Sequence, residues 1–280
     1  MKKIDKTTFL LILILVAGLS LLLYPTVAEW WNSFHSTQAM VSYDEVVSQI
    51  DNDEYKQIWD SAVQYNDDLR KRSNIFSLSD SMRERYQSNL DVNNTGAMGY
   101  IIIPKIDVHL PIYHGTDDAV LQVAVGHLDW TSLPVGGESS HAVFSGHRGL
   151  PSAKLFTDLD DLVVGDRMEF KILDETLTYE VDQIKVVEPE VIDDLVIVEG
   201  QDLVTLVTCT PYGINSHRLL VRGVRVDNAV EVVERRVAAD ALYVDPMVVA
   251  GALLGPCVLL GVAGIFVVDG ILTRSRKRKK

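Results

Sequence analysis

One stretch of the sequence, residues 204–223, combines two residue types that can perform nucleophilic chemistry. Cys209 follows the β-branched and apolar run 204–208, and Arg218 precedes a second such run at 219–221. A proline and a glycine lie between the runs, so the pattern predicts two antiparallel strands whose thiol and guanidinium meet at one end of a sheet. A thiolate is the nucleophilic form of cysteine, and a neighbouring cation can lower its pKa or hold an oxyanion. We therefore predict acyl transfer at this position.

A cysteine nucleophile also needs a group that moves protons, and His147 is the best candidate. It follows a short apolar strand that runs into Gly146. Imidazole titrates near neutrality, so it can take a proton from a thiol or give one to a leaving amine. His127 and His217 are alternatives. Side chains alternate along a strand, so His217 is expected to face away from Arg218.

Other residues compete for the roles of cation and nucleophile. Arg148 is adjacent to the candidate histidine, and Arg222 shares a strand face with Arg218 but lies farther from the strand start. We favour Arg218 because it begins its strand beside the cysteine. Ser152 and Lys154 are a candidate serine–lysine pair, but their spacing does not bring them together from two strand ends.

The residues around these candidates resemble the sortase family. Thr-Leu-Val-Thr-Cys at 205–209 with a downstream arginine is similar to the sortase signature, and Phe-Ser-Gly-His at 144–147 is similar to the family's histidine strand. The longer stretches 145–156 and 209–215 resemble the class C sortases, which assemble pili. The resemblance extends from about residue 98 to residue 226.

The resemblance implies a membrane-anchored cysteine transpeptidase on the outer face of a Gram-positive cell. Cys209 would attack an LPXTG-like sorting signal between Thr and Gly, and His147 would move the protons. Arg218 would hold the oxyanion or position the peptide. The partners implied are pilin or surface-protein sorting signals and a pilin lysine that accepts the acyl group. A housekeeping sortase that attaches surface proteins to the peptidoglycan precursor is the alternative. A catalytically silent membrane adhesin or scaffold is the alternative from another class.

The elements that must position these residues are short strands. Turn residues separate them, and little helix is predicted after residue 99 apart from a short helix at 154–159. The pattern predicts a mainly β fold, a closed or nearly closed antiparallel barrel of seven or eight strands. The predicted strands are 100–103, 108–112, 141–144, 167–173, 177–187 and the two strands around Cys209.

Apolar runs near both ends predict a membrane protein. Residues 9–24 follow three lysines and form either an uncleaved anchor or a signal peptide; the tryptophans at 30 and 31, with no small-residue cleavage site before them, favour the anchor. Residues 247–272 can form a second transmembrane helix, and 274–280 is a basic tail. The positive-inside rule places both termini in the cytoplasm and the intervening domain outside.

Residues 30–89 are predicted to form two or three helices, because apolar residues recur at three- and four-residue spacing. Many class C sortases have a lid with an Asp-Pro-aromatic motif in this region. No proline occurs between Pro25 and Pro104, so that motif is absent. Within 73–80, Phe76 is the one aromatic residue able to plug a groove, and an ordinary interhelical loop is the favoured interpretation.

We divide the chain at these transitions. The predicted segments are an anchor (1–28), a helical region (29–97), the catalytic barrel (98–228), a juxtamembrane linker (229–245), a transmembrane helix (246–272) and a basic cytoplasmic tail (273–280).

Composition excludes several functional classes. The net charge of −13 becomes more negative once the basic ends are set aside, so a nucleic-acid partner is not expected. The seven histidines form no metal-binding motif, and no glycine-rich phosphate loop is present, so neither a metal nor a cofactor is expected. Cys209 has only Cys257 as a second cysteine, and Cys257 lies in the second apolar run, which excludes a disulfide scaffold.

Overall fold

The computed structural model describes residues 6–72, 76–92 and 94–228. The predicted linker, the second apolar run, Cys257 and the basic tail lie outside these residues. Residues up to Tyr24 belong to one unit of the chain and residues Pro25–Val230 to another. In chain order the helices and strands are α1 (Lys6–Val47), α2 (Asn52–Arg70), α3 (Asp80–Ser88), β1 (Ala97–Ile103), β2 (Val108–His114), α4 (Asp118–Leu121), β3 (Val125–His127), β4 (Ser140–Ser145), β5 (Arg167–Ile172), β6 (Glu175–Val187), β7 (Asp202–Thr210) and β8 (His217–Arg225).

The beginning of α1 is the predicted anchor. Helix α1 has an 18-residue window with a mean hydropathy of 2.5, and none of that window is buried in the described protein. A long, apolar and unburied helix is what a membrane-spanning segment requires. By length and composition, this one helix of the described residues can cross a membrane.

The eight strands form a closed barrel in the order β1-β2-β3-β4-β7-β8-β6-β5, which confirms the predicted barrel. The prediction of an antiparallel barrel was wrong for two of its strand pairs, because β2 pairs with β3 and β4 pairs with β7 in parallel. Strand β3 was missed, since three residues are too few for an alternating pattern. The predicted helix at 154–159 is a turn followed by a 3-10 helix at Leu159–Asp161.

Each of the first three helices docks on the barrel through a buried tyrosine: Tyr43 of α1, Tyr65 of α2 and Tyr86 of α3. The hydroxyl of Tyr43 donates to the Met98 carbonyl at 2.9 Å and accepts from the Leu173 amide at 2.9 Å. A buried hydroxyl is costly unless it has hydrogen-bond partners, so these bonds offset its desolvation. Side chains of the three helices before the barrel therefore belong to the same hydrophobic core as the strands.

Side chains along β7 alternate between the barrel interior and its outer face. Val204, Leu206 and Thr208 alternate inward and are buried, while Thr205, Val207 and Cys209 face outward. The core includes apolar residues from all eight strands, among them Val125 of β3 and Val221 of β8. Phe144 stacks on Phe170 at 4.9 Å between ring centroids. This packing fixes the strand ends on which the candidate residues lie.

Candidate active site

The thiol and the guanidinium occupy facing positions on neighbouring strands. Strands β7 and β8 are antiparallel, and Cys209 lies directly opposite Arg218 in their register. Residues in facing positions have Cβ atoms roughly 4.5–5.5 Å apart, which is within side-chain reach. Cys209 is a free, partly exposed cysteine. The structure thus brings together the two residues that the strand–loop–strand pattern placed at one end of a sheet.

His147 continues the parallel pairing of β4 with β7. The last pair of that ladder is Ser145 with Val207, and the Gly146 amide donates to the Val207 carbonyl at 3.1 Å. Carrying the register forward by two residues puts His147 beside Cys209. The histidine is partly exposed, as a residue that exchanges protons with a substrate must be. The register thus carries the His147 backbone to the strand end that bears Cys209 and Arg218.

Close packing holds the segment around His147. The His147 carbonyl accepts a hydrogen bond from the Phe156 amide at 3.1 Å. A Cβ atom at Gly146 would lie 2.6 Å from the Phe156 ring, and one at Gly149 would lie 2.7 Å from the Tyr212 ring. Gly149 also has a φ of +77°, a conformation that side chains disfavour. The two glycines let this segment approach the rings closely and so restrict the position of His147.

Hydroxyl and carbonyl groups brace the strand ends. The Thr208 hydroxyl donates to the Gly146 carbonyl at 2.8 Å, which links β7 to the residue before the histidine. Arg218 donates through Nη1 to the carbonyls of Asn215 and His217 at 3.3 and 3.1 Å. These contacts leave part of the guanidinium's five-donor capacity for another acceptor.

The three competing arginines differ in how their charge is neutralised. Arg148 forms an ion pair with Asp160 at 2.5 Å, and Arg222 forms one with Asp182 at 2.5 Å. Within the described ranges, the ion pairs of 4.0 Å or less do not include Arg218. Its charge therefore remains available to an anion at the Cys209 end of the sheet.

The competing histidines are unsuited to proton transfer at this site. Burial lowers the pKa of His127 to about 3, and its Nε2 lies 2.8 Å from the Ser132 carbonyl. That carbonyl can only accept, so Nε2 carries the proton of a neutral ring. His217 pairs with Thr210 in the register and alternates with Arg218, so it faces away from the thiol. His147 is left as the histidine beside the nucleophile.

The serine–lysine alternative does not fit the geometry. Lys154 forms an ion pair with Asp158 at 2.8 Å, and its Nζ also donates to the Ile106 carbonyl. The hydrogen bond to Asp158 raises the pKa of Lys154, which makes the amine a weaker candidate for a general base.

An apolar surface adjoins Cys209 on the outer face of the barrel. Val143, Leu195 and Leu220 form its buried part, and partly buried side chains pack around them: Leu128, Trp130, Val187, Ile192 and Val207. We call these eight residues the outer apolar cluster. Val207 precedes Cys209 by two residues and faces the same way. The alternation in β4 and β7 was a sequence signal for this cluster, but Trp130 lies in a turn and Leu195 ends the short 3-10 helix Asp193–Leu195, and no periodicity identifies either.

Phe76 contacts the edge of that surface. Its ring lies 5.0 Å from the ring of Trp130 in an edge-to-face arrangement, and it is 49% exposed. The aromatic residue predicted as a possible plug is thus in contact with the outer apolar cluster.

The chain is similar to known proteins in both sequence and fold. A family model described as the Sortase domain matches residues 101–226. The crystal structure of sortase C1 from Streptococcus agalactiae aligns with a TM-score of 0.67 and 51% identity, covering 68% of this chain and 99% of that chain. The chain belongs to the sortase family. The sortase C structure from Streptococcus pneumoniae aligns with a TM-score of 0.61 and 42% identity, covering 68% of this chain and 97% of that one.

These matches confirm the resemblance to class C and the expected enzyme class. Among curated relatives, Sortase D of Bacillus subtilis (strain 168) is 31% identical over 133 residues, which are 46% of this sortase and 64% of that protein. The chain thus spans less than two thirds of the length of the curated relatives it matches. The reaction and its partners follow as proposals.

Proposed function

We propose that this sortase is a membrane-anchored cysteine transpeptidase with Cys209 as its nucleophile. The observation that carries the proposal is the position of Cys209, directly opposite Arg218 and one strand away from the segment that carries His147. A nucleophile, a proton carrier and a cation within reach of one another are the groups that acyl transfer through a thioester requires.

The proposed substrate is an LPXTG-like sorting signal. The Cys209 thiolate attacks the threonine carbonyl, and the guanidinium of Arg218 holds the oxyanion of the tetrahedral intermediate. His147 then gives a proton to the leaving glycine amine, so that the peptide bond breaks and a thioester remains on the enzyme. The outer apolar cluster supports this substrate class, because it offers apolar surface beside the nucleophile to a signal that contains leucine and proline.

The proposed second substrate is a lysine amine of a pilin. The amine attacks the thioester, His147 accepts its proton, and the thiolate leaves as an isopeptide bond forms. The solved sortase C of Streptococcus pneumoniae is described in terms of pilin substrate specificity, which supports a pilin as the acceptor here. The apolar, unburied start of α1 supports attachment to the membrane. The three lysines before the apolar run support a cytoplasmic N-terminus with the barrel on the outer side.

Competition between nucleophiles tests the acceptor. The full chain in detergent is given a sorting-signal peptide together with a pilin subunit and a soluble mimic of the peptidoglycan precursor. We expect the product mass of peptide joined to pilin through lysine, which is lost when that lysine is replaced by arginine. Exclusive transfer to the precursor mimic would contradict pilus assembly and favour a housekeeping sortase.

A further inference from the structure

Arg148 lies next to the proposed acid/base in sequence but is not part of the proposed reaction. Its side chain is 10% exposed, and its Nη2 donates to the Asp160 carboxylate at 2.5 Å. Its Nη1 contacts the Thr210 hydroxyl at 3.4 Å. Burying a guanidinium costs free energy that the ion pair with Asp160 offsets only in part. A buried arginine at the rim of a catalytic site therefore calls for a function.

The contact joins two residues that hold the same position relative to the proposed catalytic residues. Arg148 follows His147, and Thr210 follows Cys209. The parallel ladder of β4 and β7 ends at Ser145 and Val207, and the next links are the amide and carbonyl bonds of Gly146. The contact from Arg148 to Thr210 continues the same register three residues beyond the ladder. It is a side-chain connection between the histidine segment and the cysteine strand, past the point where the backbone pairing stops.

The charge of Arg148 is already compensated, so the residue is a poor second oxyanion clamp. Asp160 lies in the 3-10 helix Leu159–Asp161, on the connection from β4 to β5. The guanidinium thus spans from this connection to the residue after the nucleophile. Its Nε is buried and has no hydrogen-bond partner among the described residues. The Arg148 guanidinium keeps this position although its buried Nε–H has no partner, so the contacts at Nη1 and Nη2 must hold it there.

We infer that Arg148 is a positioning residue that sets the distance between the His147 imidazole and the Cys209 thiol by bridging Asp160 and Thr210. The inference rests on the proposed function, since the distance matters for proton transfer between those two groups. Misplacing a catalytic group by about 1 Å can cost about 10²-fold in rate, so the bridge is expected to affect the chemical step rather than substrate binding.

The test compares Arg148→Met with Arg222→Met, which removes another ion-paired arginine from the same barrel. In the full chain in detergent, Arg148→Met is expected to slow thioester formation by about 10- to 100-fold with KM within about twofold of the wild type. Arg222→Met is expected to acylate at close to the wild-type rate. Arg148→Lys keeps a charge for Asp160 but lacks the forked geometry, so partial rescue is expected.

A double-variant cycle tests whether Arg148 acts on the rate of thioester formation through Thr210. Thr210→Val removes only the hydroxyl that Arg148 contacts, and it remains informative if Arg148→Met fails to fold. If the bridge acts as one unit, the Arg148→Met/Thr210→Val protein is no slower than the slower single variant. Independent, multiplicative losses would overturn the inference.

A readout that needs no peptide separates this inference from the proposed function. The rate at which iodoacetamide alkylates Cys209 is measured against pH by peptide mapping, in the wild type, Arg148→Met and His147→Gln. We expect the Arg148→Met profile to move from that of the wild type toward that of His147→Gln. Superimposable wild-type and Arg148→Met profiles would overturn the positioning role. A wild-type enzyme that never forms the thioester would instead overturn the proposed function, and the alkylation profiles would still decide the role of Arg148.

Discussion

The outer face of β4, β7 and β8 carries two sets of side chains of the same kind, with the outer apolar cluster between them. Each set has a histidine from β4 or from the residues just after it, a residue with a thiol or hydroxyl group from β7 and an arginine from β8. In both sets the β7 residue lies directly opposite the arginine. We call His147, Cys209 and Arg218 the exit set, because they lie where the chain leaves β4 and β7. We call His141, Thr205 and Arg222 the buried set, because its histidine and threonine are buried.

The two sets differ in how fully their polar atoms are satisfied. In the buried set, His141 is 1% exposed and its Nε2 lies 2.8 Å from the Thr205 hydroxyl. Its Nδ1 contacts the Val196 carbonyl at 2.8 Å, and both ends of the Arg222 guanidinium bind Asp182. Every group there already has a partner in the protein. Residue type and strand position are therefore insufficient for chemistry, which also needs exposure and free hydrogen-bonding capacity.

Replacing each histidine by glutamine is expected to give the largest contrast. His147→Gln removes the proton carrier and is expected to lower the rate of thioester formation by about 10²- to 10⁴-fold with little change in Tm. His141→Gln removes a hydrogen-bond bridge and is expected to lower Tm while the acylation rate stays close to the wild type. Acylation kinetics and thermal denaturation of both variants check this. Equal losses of rate in the two variants would remove the distinction between the sets.

Replacing Arg218 and replacing Arg222 are expected to differ in the same way, one affecting catalysis and the other stability, with a smaller effect on the rate. Arg218→Ala is expected to lower kcat/KM for the sorting-signal peptide by about 10²- to 10³-fold, because a preorganised donor to the oxyanion is lost. Arg222→Ala leaves the Asp182 carboxylate without its partner, so we expect a loss of about 1–3 kcal/mol in the free energy of unfolding and little change in kcat/KM. Steady-state kinetics and denaturant titrations measure the two quantities. A fully active Arg218→Ala enzyme would contradict its role as the clamp.

The buried histidines predict how stability depends on pH. Burial lowers the pKa of His127 to about 3 and also lowers the pKa of His141. An unfolded histidine takes up a proton below about pH 6.5. The folded state resists that proton, so the stability present above pH 6.5 is lost as the pH falls toward the folded pKa. Between pH 6.5 and 5, His127 alone is expected to cost about 1–2 kcal/mol of unfolding free energy, and His141 adds a loss in the same direction.

Denaturation of the wild type and of His127→Gln at pH 7, 6 and 5 checks this dependence. The variant starts from a lower stability, and its loss of stability below pH 6.5 is expected to be shallower than that of the wild type because one of the two buried rings is gone. Constant wild-type stability from pH 7 to 5 would contradict the assignment of neutral, buried rings.

Thr205→Val is expected to have the smallest effect on acylation and to act on stability alone. It keeps the side-chain shape but removes the hydroxyl that partners His141 Nε2, so a loss of about 1–3 kcal/mol is expected from the unsatisfied ring nitrogen. Acylation at Cys209 is expected to continue at close to the wild-type rate. Loss of acylation in Thr205→Val would show that the two sets are coupled, and denaturation alongside peptide acylation would reveal it.

Much of the fold and site could be predicted because local patterns determine them. The β-branched and apolar run 204–208 identified β7, and the short loop to a second such run placed Arg218 at the same end of the sheet as Cys209. The parallel pairing of β4 with β7 could not be predicted, since it depends on a long connection and on barrel closure. It is that pairing which brings His147 to the site. The buried set was also missed, because His141 and Thr205 are 64 residues apart and no local pattern joins them.

The mass of the enzyme after reaction with a sorting-signal peptide tests directly whether Cys209 forms the thioester. The full chain in detergent is mixed with an LPXTG-containing peptide, and the intact mass and the modified residue are determined by mass spectrometry. We expect an increase equal to the acyl group that ends at threonine, which is the truncated peptide less one water. The adduct is expected on Cys209, is removed by hydroxylamine and is absent from Cys209→Ala. The same adduct in Cys209→Ala, or an adduct on another residue of the wild type, would contradict that role of Cys209.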